Sequence, residues 1–260
     1  MKHLRKFDSV TDMETALASA TIDILGLGYD AQGNPVLKTK QGSSPAPDPS
    51  IPFYVENITQ ETEILTIAGY DWSGQDNYLE FPVEYSIDGT NWSLLGTTGA
   101  TPLTRTLQPG DKVYLRATAN TWYEYQEEPY IEHGCAIFGV SKVGGNIMSL
   151  LYGSKFNNQL TLWYNYTFNR LFTGDTHIIN ASKLVLPATT LSQYCYINMF
   201  YNCTTLTTPP KTLPATTLKN YCYSAMFYGC SKLRTSPILP APTLTTSCYA
   251  NMFQACKVLN

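Results

Sequence analysis

Charge is what this sequence has least of. Charged side chains make up 14% of its 260 residues, against about a quarter in an average soluble domain. The 17 Lys and Arg are scattered and the formal net charge is −3. A nucleic-acid partner needs a contiguous basic face, so none is expected. Long apolar runs are missing too: no window approaches the roughly 18 residues that cross a bilayer, so no membrane span is expected. There is no Gly-rich phosphate loop, no HExxH pair and no nucleophile elbow. Seven cysteines, an odd number, cannot all close into disulfides.

What replaces charge is Thr, Ser, Asn and 19 Tyr. Hydrophobic residues reach 43%, enough to bury a core, and the length allows two or three small domains. Lys2, Arg5 and Lys6 imitate the start of a secretion signal, and Ala16-Leu17-Ala18 or Ala18-Ser19-Ala20 its cleavage site. Asp8, Asp12 and Glu14 fall where such a signal carries an apolar stretch of about 7–15 residues, so no secretion signal is expected.

Residues 1–40 form a small α+β unit. Thr11-Asp12-Met13-Glu14 fits a helix capping box, with Met13, Ala16 and Leu17 on one face. Thr21–Leu27 alternates as a strand does, and Gly33-Asn34-Pro35 turns the chain into Val36-Leu37-Lys38. So short a unit buries little by itself. Either it is a small autonomous appendage, or Met13, Leu17, Ile22, Ile24 and Leu27 are buried against a partner or another copy as an assembly anchor. Residues 41–52 (QGSSPAPDPSIP) read as a Pro-rich extended spacer.

Residues 53–118 read as a β-sandwich of the immunoglobulin-like kind. Phe53–Val55, Ile64–Ile67, Val83–Ile87, Trp92–Leu95 and Lys112–Arg116 are the expected strands, with turns at Asp88-Gly89 and Pro109-Gly110-Asp111. Residues 119–145 connect, irregular and aromatic at first, then strand-like over Cys135–Val140.

From residue 146 to 260 the chain repeats. Cys195, Cys222 and Cys248 are 27 and 26 apart; Cys203, Cys230 and Cys256 keep the same spacing. Met199-Phe200, Met226-Phe227 and Met252-Phe253 follow it, as do LPATTL at 186–191 and 213–218 and LPAPTL at 239–244. This period lies within the range of about 20–29 of a leucine-rich-repeat solenoid. Leu218, Cys222 and Met226, four apart, predict a helix capped by Thr216 or Thr217 and closed at Gly229, followed by a strand at Lys232–Thr235. Stacked repeats turn the two cysteine series into interior ladders. With no CxxC spacing and no nearby His, neither metal ligation nor thiol catalysis is expected.

Other site candidates are weak. Ser86–Trp92 resembles an Asp-box turn, in one copy with shifted spacing, and reads as a hairpin turn packed by Trp92. Glu124, Glu127, Glu128 and Glu132 with His133 imitate a glycosidase carboxylate pair but read as solvated surface. No catalytic residue, metal or cofactor is expected. Tyr194 and Tyr221 share one repeat position, Tyr201 and Tyr228 another, and Tyr196, Tyr223 and Tyr249 a third. Exposed tyrosines suit a host protein or glycan; the alternative is packing along the ladder. Tyr194, Tyr201, Tyr221 and Tyr228 are the receptor-facing candidates.

LPATTL…YCYxxMFxxC with the lead-in GGNIMSLLYG (144–153) resembles the BspA-like leucine-rich-repeat proteins of Bacteroidales and their phages, over residues 144–260. EYSIDGTNW and LQPGDKVYLRA resemble the module that commonly precedes those repeats. The first 40 residues resemble N-terminal segments of virion proteins from crAss-like Bacteroides phages. The resemblance implies surface display and adhesion without catalysis. It points to a virion head or tail fibre or decoration protein; the alternative is a bacterial cell-surface adhesin, which would need export. A homo-oligomer, attached to other virion proteins through its N-terminus, is expected. The array reaches Asn260 without a polar capping coil. Either the natural chain is longer, or another subunit covers that end.

Overall fold

The computed structural model describes residues 4–6, 24–29, 35–39, 46–71, 80–118 and 133–259. The chain divides into two compact units, Met1–Ala46 and Pro47–Asn260. Strands outweigh helices by 29% to 4%, which makes the class mainly β.

In the first unit β1 (Leu4–Lys6), β2 (Ile24–Tyr29) and β3 (Pro35–Thr39) form an antiparallel sheet of order β1-β3-β2. The hairpin expected from Gly33-Asn34-Pro35 is the β2–β3 pair, with Leu27 opposite Leu37. β1, built from residues with the look of a signal start, was not foreseen; Arg5 pairs with Leu37. Ile24 and Leu27 lie on β2, whereas Met13, Leu17, Ile22 and the expected helix lie outside the described residues.

The second unit opens with β4 (Tyr54–Glu56), β5 (Glu63–Asp71), β6 (Pro82–Ser86), β7 (Ser93–Thr97), β8 (Leu103–Leu107), β9 (Lys112–Ala117), β10 (His133–Phe138) and β11 (Lys142–Asn146). Helix α1 (Ser149–Tyr152) and β12 (Asn180–Val185) follow. One sheet has the order β10-β5-β8 and the other β12-β11-β4-β9-β6-β7. Strand β9 shows why they pack. Val113, Leu115 and Ala117 point into the core with Phe53, Val55, Leu65, Ile67 and Leu107, while Lys112, Tyr114 and Arg116 point out. Each fully buried Leu or Phe contributes about 1.5–3 kcal/mol. On the outer face the Arg116 guanidinium of β9 lies 4.1 Å over Trp92, just before β7, and 2.6 Å from Glu84 of β6. Asp88 accepts from Ser86, Thr90 and Asn91 within that turn.

Two boundaries differ from the sequence reading. Residues 47–52 are not a free spacer: Asn146 donates its side-chain amide to the Pro49 carbonyl at 2.9 Å and its backbone N–H to Ile51 at 2.8 Å. Residues 133–145 are not connection either, since β10 and β11 complete the two sheets. The expected boundary near residue 146 falls inside a sheet, where β11 pairs in parallel with β12. Gly144 and Gly145 are needed at this crossing. A Cβ on Gly144 would meet the Tyr54 ring at 2.4 Å, and one on Gly145, at φ +73°, the Pro52 carbonyl oxygen at 2.0 Å.

Beyond β11 the repeats stack, but no repeat contains the expected helix. Over 194–203 the N–H groups alternate between two jobs. Those of Ile197, Met199, Tyr201 and Cys203 close turns on the carbonyls of Tyr194, Tyr196, Asn198 and Phe200. Those of Tyr194, Tyr196, Asn198, Phe200 and Asn202 reach the next coil at Asn220, Cys222, Ser224, Met226 and Tyr228. The coil at 221–230 repeats this onto 246–254. Diverting every second N–H to a neighbour leaves no continuous i→i−4 ladder, so the coil is a ribbon of consecutive β-turns. Positive φ recurs every four residues along the ribbon: Tyr194, Asn198 and Asn202, then Tyr221, Ala225 and Gly229, then Ser247, Asn251 and Ala255. Leu218, Cys222 and Met226 all face inward because the turns repeat every four residues. Lys232–Thr235 makes no strand; Leu233 closes a turn on Cys230 and Arg234 reaches back to Thr207. Across the coils Thr161, Thr190, Thr217 and Thr243 pair as single parallel bridges.

Inside, two aromatic columns run along the stack. Phe172, Phe200, Phe227 and Phe253 follow one another at centroid distances of 4.9, 5.4 and 5.8 Å, and Phe53 of the sheet core meets Phe172 at 6.2 Å. Phe168, Tyr196, Tyr223 and Tyr249 form the second. One core thus runs from the sheets into the coils.

Candidate functional site

The cysteine ladders are interior. Cys195, Cys203, Cys222, Cys230 and Cys248 are buried, Cys256 is half-buried, and none is in a disulfide. The thiols of Cys203, Cys230 and Cys256 donate back one coil to the carbonyls of Phe172, Phe200 and Phe227, at 3.0, 3.0 and 3.1 Å. This gives the second ladder a role beyond filling space: the thiol ties coil to coil where a methyl could not. Burial pushes the thiols of Cys195, Cys203, Cys222, Cys230 and Cys256 up, Cys222 to about 11, so these five stay protonated and unreactive at neutral pH.

The tyrosines divide. Tyr196 and Tyr223 are core, and the hydroxyls of Tyr196, Tyr223 and Tyr249 are enclosed without a hydrogen-bond partner. Tyr194, Tyr201, Tyr221 and Tyr228 are half-buried on the outer side of the turn ribbon. Tyr166, Tyr194 and Tyr221 stack at 4.7 and 4.9 Å, Tyr201 and Tyr228 at 4.8 Å, with ring planes within 10°. The two readings of these residues therefore meet in one geometry. The rings form ladders, so their flat faces are largely covered by each other, while ring edges and hydroxyls line the surface. Beside Tyr201 lies a cleft of about 370 Å³ lined also by Arg170, Thr173 and Asn198. Thr173 donates to the Asn198 carbonyl at 2.7 Å, fixing the cleft wall.

Sequence reasoning missed the most exposed aromatic group among the described residues. Trp163 is 74% exposed, beside Tyr164 at 43% and Leu160 at 46%. They precede Tyr166 on the first coil, where the degenerate repeat hid them. An isolated Trp carries no periodicity, and only the inward set of its neighbours, Leu162 and Phe168, shows that it must point outward.

A second cleft, of about 460 Å³, sits where the sheets meet the coils and holds Glu63, Asp175 and His177. Asp175 accepts from the Gly139 N–H at 3.0 Å and the His177 N–H at 2.6 Å, and faces His177 Nδ1 at 3.2 Å. Glu63 accepts from the Ser141 N–H at 3.0 Å and from Thr59 at 3.3 Å. Burial holds the Asp175 carboxyl above the usual range, against the hydrogen bonds that lower it. All four carboxylate oxygens already accept, mostly from backbone, which is the geometry of a joint.

Glu124, Glu127, Glu128 and Glu132 lie outside the described residues, and His133 starts β10. Among the described residues no cluster of three His, Cys, Asp or Glu could hold a metal ion, and no helix is long and apolar enough to cross a membrane. No family model, no curated protein and no solved structure matches this chain.

Proposed function

We propose that the chain is a non-catalytic virion protein of a phage, a head or tail fibre or decoration protein whose repeats attach to the host surface. In this reading the two sheets are an immunoglobulin-like module, and the stacked coils are a leucine-rich-repeat type of solenoid. The first unit joins the chain to other virion proteins or to further copies of itself. The observation that carries the reading is the outer side of the turn ribbon. Two tyrosine columns and an exposed Trp are displayed on a scaffold whose thiols and carboxylates are engaged in holding it together.

The test exchanges the tyrosines for residues that the same positions accept in neighbouring coils. Tyr201 is equivalent to Thr173, Tyr228 to Gln254, and both Tyr194 and Tyr221 to Ser247. The variant Tyr194→Ser, Tyr201→Thr, Tyr221→Ser, Tyr228→Gln should keep the far-ultraviolet spectrum and lose adsorption to host cells. Unchanged adsorption by the folded variant contradicts the assignment of this face.

A further inference from the structure

We propose that Trp163, with Tyr164, is the primary platform for an uncharged carbohydrate. This rests on the attachment reading and names its ligand class. The platform is built rather than loose. Leu162, just before it, is buried and donates its N–H to the Thr190 carbonyl at 2.9 Å. Just after it, the Tyr164 carbonyl accepts from Thr167 at 2.7 Å and from Ser192. The Asn165 side-chain oxygen accepts from the Gln193 N–H at 3.1 Å. The Tyr152 hydroxyl, which interacts with the Trp163 side chain, donates to the Thr161 carbonyl at 3.1 Å. The backbone on both sides of the ring is held, yet 74% of the residue faces outward. Such a ring offers a rigid flat surface whose binding costs little ordering.

Charge selects the ligand. Residues 156–169 contain no charged side chain, and neither do residues 185–210. These two runs flank Trp163 on its own coil and supply much of the next one; Arg170, further along the first coil, lies in the cleft beside Tyr201. The polar side chains that fix the segment just after Trp163 are Asn165, which accepts from the Gln193 N–H, and Ser192, which donates to the Tyr164 carbonyl. An anionic glycan, a nucleic acid or a charged peptide finds no complement there. A neutral sugar does. One face of a pyranose is a set of C–H bonds that packs on an indole, and its hydroxyls exchange hydrogen bonds with amides and hydroxyls at the rim.

The experiment uses the full chain against immobilised uncharged gluco-, manno-, galacto- and xylo-oligosaccharides, with uronate and sulfated oligosaccharides alongside. Retention is expected on at least one uncharged member and should persist as NaCl rises from roughly 0.05 to 0.5 M, because no ion pair is screened. Trp163→Ala should weaken it about tenfold or more, Trp163→Tyr much less, and neither should shift the melting temperature of so exposed a site. Retention only on charged oligosaccharides, on none, or undiminished by Trp163→Ala overturns the proposal. Adsorption to Bacteroides cells before and after periodate or protease treatment separates the two claims. Protease-sensitive, periodate-resistant adsorption leaves the attachment reading standing and the carbohydrate proposal refuted; no adsorption in either state refutes the attachment reading itself.

Discussion

At the scale of single residues, the interior column Phe168, Tyr196, Tyr223, Tyr249 shows a tension between shape and polarity. The rings stack within 5.5–5.8 Å, yet three phenol oxygens are enclosed and unpartnered. Burial pushes the hydroxyls of Tyr196 and Tyr223 well up. An enclosed, unpaired hydroxyl costs on the order of 1–3 kcal/mol. Phe already occupies the first place in this column, so Tyr223→Phe should fit. We expect it to raise stability in urea by about 1 kcal/mol, measured as a higher midpoint at unchanged slope. A loss of stability would show that the hydroxyl has a partner. The positive-φ positions make the opposite point. Asn198 adopts φ 56°, a region open to Asn and Gly but strained for a β-branched residue. Asn198→Val should cost about 1–2 kcal/mol, and Asn198→Gly far less, by the same measurement.

At the scale of elements, most strands of the two sheets were readable, β8, β11 and β12 were not, and the coils were readable only in part. Alternation in Lys112–Ala117 and the turn at Asp88-Gly89 are local properties, so β9 and the β6–β7 hairpin could be placed from sequence. The four-residue spacing of Leu218, Cys222 and Met226 could not separate a helix at 3.6 residues per turn from turns at four, because both put these side chains on one side. What decides is where the N–H groups go, and the acceptors of every second one lie 25 residues away in the next coil. The joint at Asp175 was hidden for a related reason: its donor, Gly139, is 36 residues upstream. Trp163 was passed over because exposure belongs to the fold and not to the residue. The joint has a pH signature. With its folded pKa above the ordinary 3.8, Asp175 stays protonated in the folded chain at pH values where the unfolded chain has released the proton. Its contribution is therefore full below pH about 4 and declines as pH rises through the folded value. Asp175→Asn should remove that decline. Denaturant titrations of both proteins across this range should show the variant gaining on the wild type as pH rises; a gain in the other direction would mean that the hydrogen bonds outweigh burial.

At the scale of the molecule, the two units have separate tasks in this account. The second, Pro47–Asn260, holds one continuous core from the sheets through the coils and should fold without the first. Deletion of residues 1–40 should leave its melting temperature unchanged and abolish incorporation into the parent particle. A truncated chain that still incorporates would remove the anchor from the account. The central claim is that the protein belongs to a phage particle and carries its repeats to the host, and quantitative mass spectrometry of purified virions tests it most directly. The account predicts peptides from both units at the abundance of a structural component. Their absence from virions, with recovery in an outer-membrane fraction of the bacterium, would contradict it and assign the chain to the bacterial surface adhesins.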